Sequence, residues 1–140
     1  MMKNHNPYMK VDLLGRIYIK DEIIFYDKLL TFSCINDFGQ FFIASCIDDI
    51  NETEEWIFLP ITEGRMIQGL NGNIEAYKLF KEPEGEFLWK VLFPSTNYET
   101  GIAIKVEPNE LNDDDLPDHG IMYKRIIDIE KTHCEKVKNK

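Results

Sequence analysis

The stretch Leu29-Leu30-Thr31-Phe32-Ser33-Cys34-Ile35-Asn36-Asp37-Phe38-Gly39-Gln40-Phe41-Phe42-Ile43-Ala44-Ser45-Cys46-Ile47 decides the fold. Two apolar runs, Leu29 to Ile35 and Gln40 to Ile47, flank Asn36-Asp37-Phe38-Gly39. Asn and Asp favour turns, and glycine supplies a positive φ, so the stretch predicts a β-hairpin. With Phe38-Gly39 at the turn centre, Asp37 faces Gln40, Cys34 faces Ile43 and Phe32 faces Ser45. Alternation then gathers Leu30, Phe32, Cys34, Phe41, Ile43 and Ile47 on the more apolar face, the expected core. Thr31, Ser33, Ile35, Phe42, Ala44 and Cys46 take the other face, so Cys34 and Cys46 point apart. A one-residue bulge after Gly39 would reverse the assignment.

Outward from the hairpin, Leu13 to Ile19 reads as a strand around Gly15-Arg16. On the other side an acidic loop, Asp48 to Glu55, leads to a short strand, Trp56 to Leu59, ended by Pro60. Thr62 is placed to cap a helix, with Glu63 in its first turn. Asn71-Gly72 stops that helix, and Asn73 can cap a second one from Ile74 to Phe80. Glu86 to Phe93 alternates with period two, Phe87, Trp89, Val91 and Phe93 on one side, which marks the core face of a strand. Gly101 to Val106 alternates as well, Pro108 to Pro117 is an acidic loop, and Ile121 to Ile129 fits either a strand or a short helix.

The sum is an α+β domain. A small bent antiparallel sheet or half-barrel of five to six strands carries one short helical insertion, about Glu63 to Phe80. The 140 residues suit one domain, with residues 1–10 and 130–140 as mobile ends. A hydrophobic content of 44% excludes a disordered chain. Three cysteines, Cys34, Cys46 and Cys134, describe neither a disulfide framework nor a zinc site. With no signal-like or membrane-length apolar run, the expected location is the cytoplasm.

Charge is the other informative property. The net charge is -9, which disfavours binding to a phosphate backbone. Residues 21–60 carry nine acids and a single base, Lys28, and residues 106–120 carry six acids and no base. Asp113-Asp114-Asp115 with Asp118 and His119 is the best metal candidate, but as an EF-hand loop it fails, with Asp118 where glycine is needed and Lys124 where glutamate is needed. No metal or other cofactor is therefore expected. Neither a Gly-x-Ser-x-Gly elbow nor a phosphate-binding glycine loop is present. Catalysis would rest on Cys34 with His119, and a strand cysteine is more often a small buried hydrophobe, so the reading leans away from an enzyme.

Phe25-Tyr26-Asp27, Leu29-Leu30, Phe32, Asp37-Phe38-Gly39-Gln40, Leu59-Pro60-Ile61, Arg65 and Asn71-Gly72-Asn73-Ile74 follow one another in an order that resembles an uncharacterised prokaryotic domain family over about residues 25–80. These residues are turns, caps and core positions. The resemblance implies a bacterial or phage origin, near defence or mobile-element genes, and carries over no functional residue.

The resulting expectation is a non-enzymatic module that binds a basic protein partner, in the manner of an immunity protein, an antitoxin or a phage inhibitor. Its partner-binding residues are Asp48, Asp49, Glu52, Glu54, Glu55, Asp113, Asp114 and Asp115, on the condition that both acidic stretches lie at the same end of the sheet. The alternative is a small-ligand or nucleotide module using the sheet or the barrel mouth, through Thr31, Ser33 and Phe42.

Overall fold

Asn36 builds the central turn. In the structure, a computed structural model that describes residues 6–94, 97–118 and 120–123, its side-chain oxygen accepts the N–H groups of Phe38 at 3.0 Å and Gln40 at 2.9 Å. Its own N–H donates to the Gln40 carbonyl at 3.0 Å, and Gly39 stands at φ +79°. The loop is therefore three residues long, the length that takes a left-handed residue just before the second strand. One extra residue moves the register by one. Thr31 faces Ser45, Phe32 faces Ala44 and Cys34 faces Phe42.

The slip turns the expected faces over. Phe42 and Ala44 join Phe32 and Cys34 in one buried cluster, while Ile43 lies in another with Phe41 and Ile47 against it. Cys46 packs against the cluster that holds Cys34, so the two cysteines share a face instead of pointing apart.

Seven antiparallel strands follow in chain order around one sheet: β1 (Met9–Val11), β2 (Gly15–Tyr26), β3 (Lys28–Asn36), β4 (Phe41–Ile50), β5 (Thr53–Ile61), β6 (Leu88–Pro94) and β7 (Ile102–Val106). The first and last strands run parallel, and the chain joins them. Lys10 N–H donates to the Tyr98 carbonyl at 2.7 Å, Gly101 N–H to Lys10 at 3.0 Å and Asp12 N–H to Gly101 at 2.9 Å. A meander bonded end to end in this way is a nearly closed barrel.

The expected half-barrel of five to six strands with one helical insertion is thus corrected to seven strands, with two small helices, α1 (Glu63–Leu70) and α2 (Ala76–Lys81). The extra strand, β1, lies partly within the end segment the sequence reading set aside. Only three residues long, it shows almost no periodicity. β5 also runs past Pro60, which pairs with Phe42. Beyond Phe58 it has no β6 partner, so the proline stands in an edge stretch, where a missing N–H is tolerated. The expected last element, Ile121 to Ile129, lies mostly outside the described residues, as do residues 130–140.

Two clusters fill the two faces of the sheet. Inside the barrel are Phe32, Phe42, Trp56, Phe58, Val91 and Phe93, with Met9 and Val11 of β1 and Leu14 from the turn after it. Against the outer face, Ile43, Ile57 and Leu59 meet Met66 of α1, Leu79 and Phe80 of α2, and Leu111 and Leu116. Ile57-Phe58-Leu59 is buried throughout because its neighbours point alternately into these two clusters. Phe93, Val91 and Trp89 face the interior as the period-two stripe requires.

Thr62 caps α1, accepting the Arg65 N–H at 3.2 Å, as the sequence indicates. Glu84 holds the same cap, accepting the Thr62 N–H and hydroxyl at 2.9 Å each. The second helix starts at Ala76 rather than at Ile74, because Glu75 is extended, at ψ 152°, and takes the cap position; the free Ala76 N–H is satisfied by the Ile121 carbonyl at 2.8 Å.

Candidate functional site

Asp48 to Glu55 is not a loop. Asn51 at φ 56° and Glu52 at φ 65° form a two-residue turn with both centres left-handed, which matches the twist of a tight hairpin between β4 and β5. After a register shift between Cys46 and Asp48, the pairing places Asp48 opposite Glu55 and Asp49 opposite Glu54. Like charges directly across a ladder are destabilising. Cations from neighbouring strands offset the cost. Lys28 reaches Glu54 at 2.8 Å and Asp49 at 3.0 Å, and Lys90 stands 3.6 Å from Glu55. Lys28, the lone base of residues 21–60, sits where two acids of that stretch meet.

Glu54 itself is buried, 3% exposed, on the interior face with Trp56. One of its carboxylate oxygens accepts the Trp56 indole N–H and the Tyr98 hydroxyl, both at 2.8 Å; the other accepts Lys28. Around it Tyr8, Phe32, Trp56, Phe93 and Tyr98 pack ring to ring, with centroids 5.2 to 6.3 Å apart. Glu54 therefore anchors the barrel end and is closed to any partner. Lys28, Trp56 and Tyr98, which complete its shell, are absent from the sequence-derived site. The signals for them are the isolation of Lys28 in charge and the shared parity of Glu54 with Trp56 and Phe58.

The network has an electrostatic signature. Burial, and then the Glu54 carboxylate, push the Tyr98 and Tyr8 hydroxyls above the ordinary tyrosine range. Partial burial works against the Lys28 charge, but its bonds to Glu54 and Asp49 outweigh that and hold the ammonium above its ordinary range. Burial pushes Cys46 up to about 11. Each of these groups keeps its proton more tightly folded than unfolded. Their stabilisation is present below the unfolded-state values and is lost as pH rises through the folded ones. The urea midpoint is expected to hold from pH 7 to 8 and to fall from about pH 9 upward, where unfolded cysteine, tyrosine and lysine begin to lose protons. A midpoint that stays level to pH 10.5 would count against the assignment.

On the rim of this end, Phe25 is 55% and Tyr26 74% exposed, at the turn from β2 into β3. The Lys28–Asp49 pair ties that turn to the acidic hairpin, where Asp49 and Glu52 are exposed. Exposed aromatics and exposed acids thus lie on two hairpin tips joined by one ion pair.

The second acidic stretch lies elsewhere. β7 starts with Ile102 opposite Leu92, which is level with Glu55, and ends with Val106 opposite Leu88. Asp113 to Asp115 follow that far end, in a short helical turn whose Asp113 accepts the Tyr77 hydroxyl of α2 at 3.1 Å. Four residues of strand, about 13 Å, separate the two levels. The structure does not bring Asp48, Asp49, Glu52 and Glu55 together with Asp113, Asp114 and Asp115, and the expectation of one shared end is corrected.

Cys34 is fully buried, and burial holds its thiol well above the ordinary range, which unsuits it as a nucleophile. His119 lies outside the described residues. Among the described residues no group of three His, Cys, Asp or Glu side chains could hold a metal ion. No helix of the described chain is long and apolar enough to cross a membrane. The structure separates Thr31 and Ser33 from Phe42: Thr31 and Ser33 share the outer face with Ser45 and Ile43, while Phe42 is packed into an interior filled by aromatic side chains.

The model of a family of unknown function, DUF6575, matches residues 6–140. The chain belongs to that family. No curated protein and no solved structure matches it. The family match takes in the barrel, both helices and the acidic stretch after β7. It reaches well beyond the 25–80 span on which the sequence resemblance rested.

Proposed function

We propose that this chain is a small, acidic, non-enzymatic module that engages a basic protein partner through the hairpin end of its barrel. The supporting observation is the pair of exposed aromatics, Phe25 and Tyr26, set beside the exposed acids of the β4–β5 tip. Buried aromatic anchors carry most of the energy at protein interfaces, and surrounding charge steers and orients encounter. The net charge of -9 extends that field over the whole molecule. The partner surface comprises Tyr26, Phe25, Asp48, Asp49, Glu52 and Glu55. Glu54 supports it from beneath, and Asp113 to Asp115 lie outside it. An immunity or inhibitor protein working in a bacterial or phage-infected cytoplasm is the role this reading fits.

Affinity capture from the source organism tests it, with wild type beside the double variant Tyr26→Ala, Glu52→Lys. The wild type is expected to retain a basic protein at low salt and progressively less as salt rises. The double variant is expected to lose it, with association slowed at least tenfold. Equal retention by both proteins, or no basic protein at either salt, would overturn the reading.

A further inference from the structure

Among the described residues, β7 has a neighbouring strand past Gly101 along one side only. β6 pairs with it from Ile102 to Val106. On the other side β1 reaches no further than Asp12, whose carboxylate accepts the Ala103 N–H at 2.7 Å. A side chain stands there in place of a neighbouring strand. Residues two apart in a strand point their backbone groups the same way, so the N–H of Lys105 and the carbonyls of Ala103 and Lys105 also face away from β6. Among the described residues the Lys105 N–H has no partner.

The surface beside this edge is apolar. Ile102 and Ile104 are 54% and 49% exposed on the outer face, and Leu13 and Phe38 are 70% and 69% exposed on the adjoining turns. Leu13 also stands at φ 65°, so the chain holds an exposed leucine in a conformation that disfavours it. A trough of about 530 Å³ begins at Ile102 and is lined by Asp12, Gly15, Arg16, Asp37 and Thr100 among others.

We propose that the free edge of β7 takes an extended segment of a partner protein as an eighth strand. The partner's alternate apolar side chains lie on Ile102 and Ile104 and over the trough. The Lys105 N–H and the Ala103 and Lys105 carbonyls, set at strand spacing, are satisfied by another strand, the chemistry of strand addition. A second copy of this chain is the poorer occupant, because pairing β7 with β7 would bring together two molecules of net charge -9. The inference stands apart from the acidic hairpin and does not depend on it.

A displayed library of random ten-residue peptides, selected on the full-length chain, tests the proposal. Enriched peptides are expected to place apolar residues at alternate positions and, once bound, to slow exchange of the Lys105 amide. Lys105→Pro removes the edge N–H at a site where proline is tolerated. That variant and Ile104→Asp are expected to bind at least tenfold more weakly, with melting temperatures near wild type. Lys105→Ala, which keeps the N–H, is expected to bind as wild type does. Failure to enrich alternating peptides would overturn the proposal. Equal binding by Lys105→Pro would do the same, as would a peptide-free dimer that protects the Lys105 amide.

Discussion

Replacing Glu54 by alanine is expected to lower the unfolding free energy by about 3 kcal/mol, at the lower end of the range for breaking a buried ion pair. The change removes the acceptor of the Trp56 indole, of the Tyr98 hydroxyl and of one Lys28 bond in a single step. It leaves the buried Trp56 indole N–H unsatisfied, at a cost of about 1–3 kcal/mol, and takes the acceptor from the half-buried Tyr98 hydroxyl. The lower end applies because Lys28 is 36% exposed and keeps Asp49. Glu54→Gln keeps an acceptor and loses only the charge, so it should fall between alanine and wild type. Asp49→Ala, at an exposed pair, should stay within about 1 kcal/mol. Urea unfolding at pH 7 orders the three variants. A loss below 1 kcal/mol for Glu54→Ala would remove Glu54 from its place at the centre of the barrel end.

The second large effect is expected at Gly101, in the segment that seals β1 to the entry of β7. A Cβ there would lie 2.5 Å from one carbon of the Phe93 ring and 2.8 Å from the next. Phe93 is fully enclosed in the interior cluster and has little room to turn. Gly101→Ala should therefore cost about 2–3 kcal/mol through overpacking. Gly39→Ala separates crowding from backbone conformation. Gly39 stands at φ +79° with nothing within 4 Å of an added Cβ, so its cost of about 1–2 kcal/mol is conformational alone. Thermal unfolding compares the two. A Gly101→Ala protein as stable as wild type would mean that the ring yields, and that the seam is looser than the contacts describe.

How far the sequence carries can be judged at particular residues. The central hairpin, the Thr62 cap and the Phe87–Phe93 stripe are legible because each rests on a local rule: turn chemistry, an oxygen at the cap, a period of two. The faces of the hairpin are not, because they depend on whether its loop holds two residues or three, and Gly39 decides that by one left-handed step. β2 is longer than its apolar core, and three register irregularities between Ile19 and Phe25 blur its alternation. The acidic hairpin is hidden for a different reason. Asp and Glu are poor strand formers, and what makes strands of Asp48 to Glu55 is a turn at Asn51-Glu52 plus cations supplied from β3 and β6. Of the expected site residues, the exposed acids of that hairpin keep a surface role in the proposal, while Glu54 belongs to the interior. Long-range pairing of this kind has no counterpart in any window of neighbouring residues.

The sealing of the barrel also sets an order of events for the newborn chain. Every other strand pairing joins neighbours in the chain order, so hairpins can zip one after another as they emerge, with a long connection only between β5 and β6, where the two helices lie. The bond of Lys10 to Tyr98 joins the first strand to the segment just before the last one and has to wait. Until then the aromatic interior is open along one side. The ribosome must release the chain as far as the entry of β7 before the first strand finds its second neighbour.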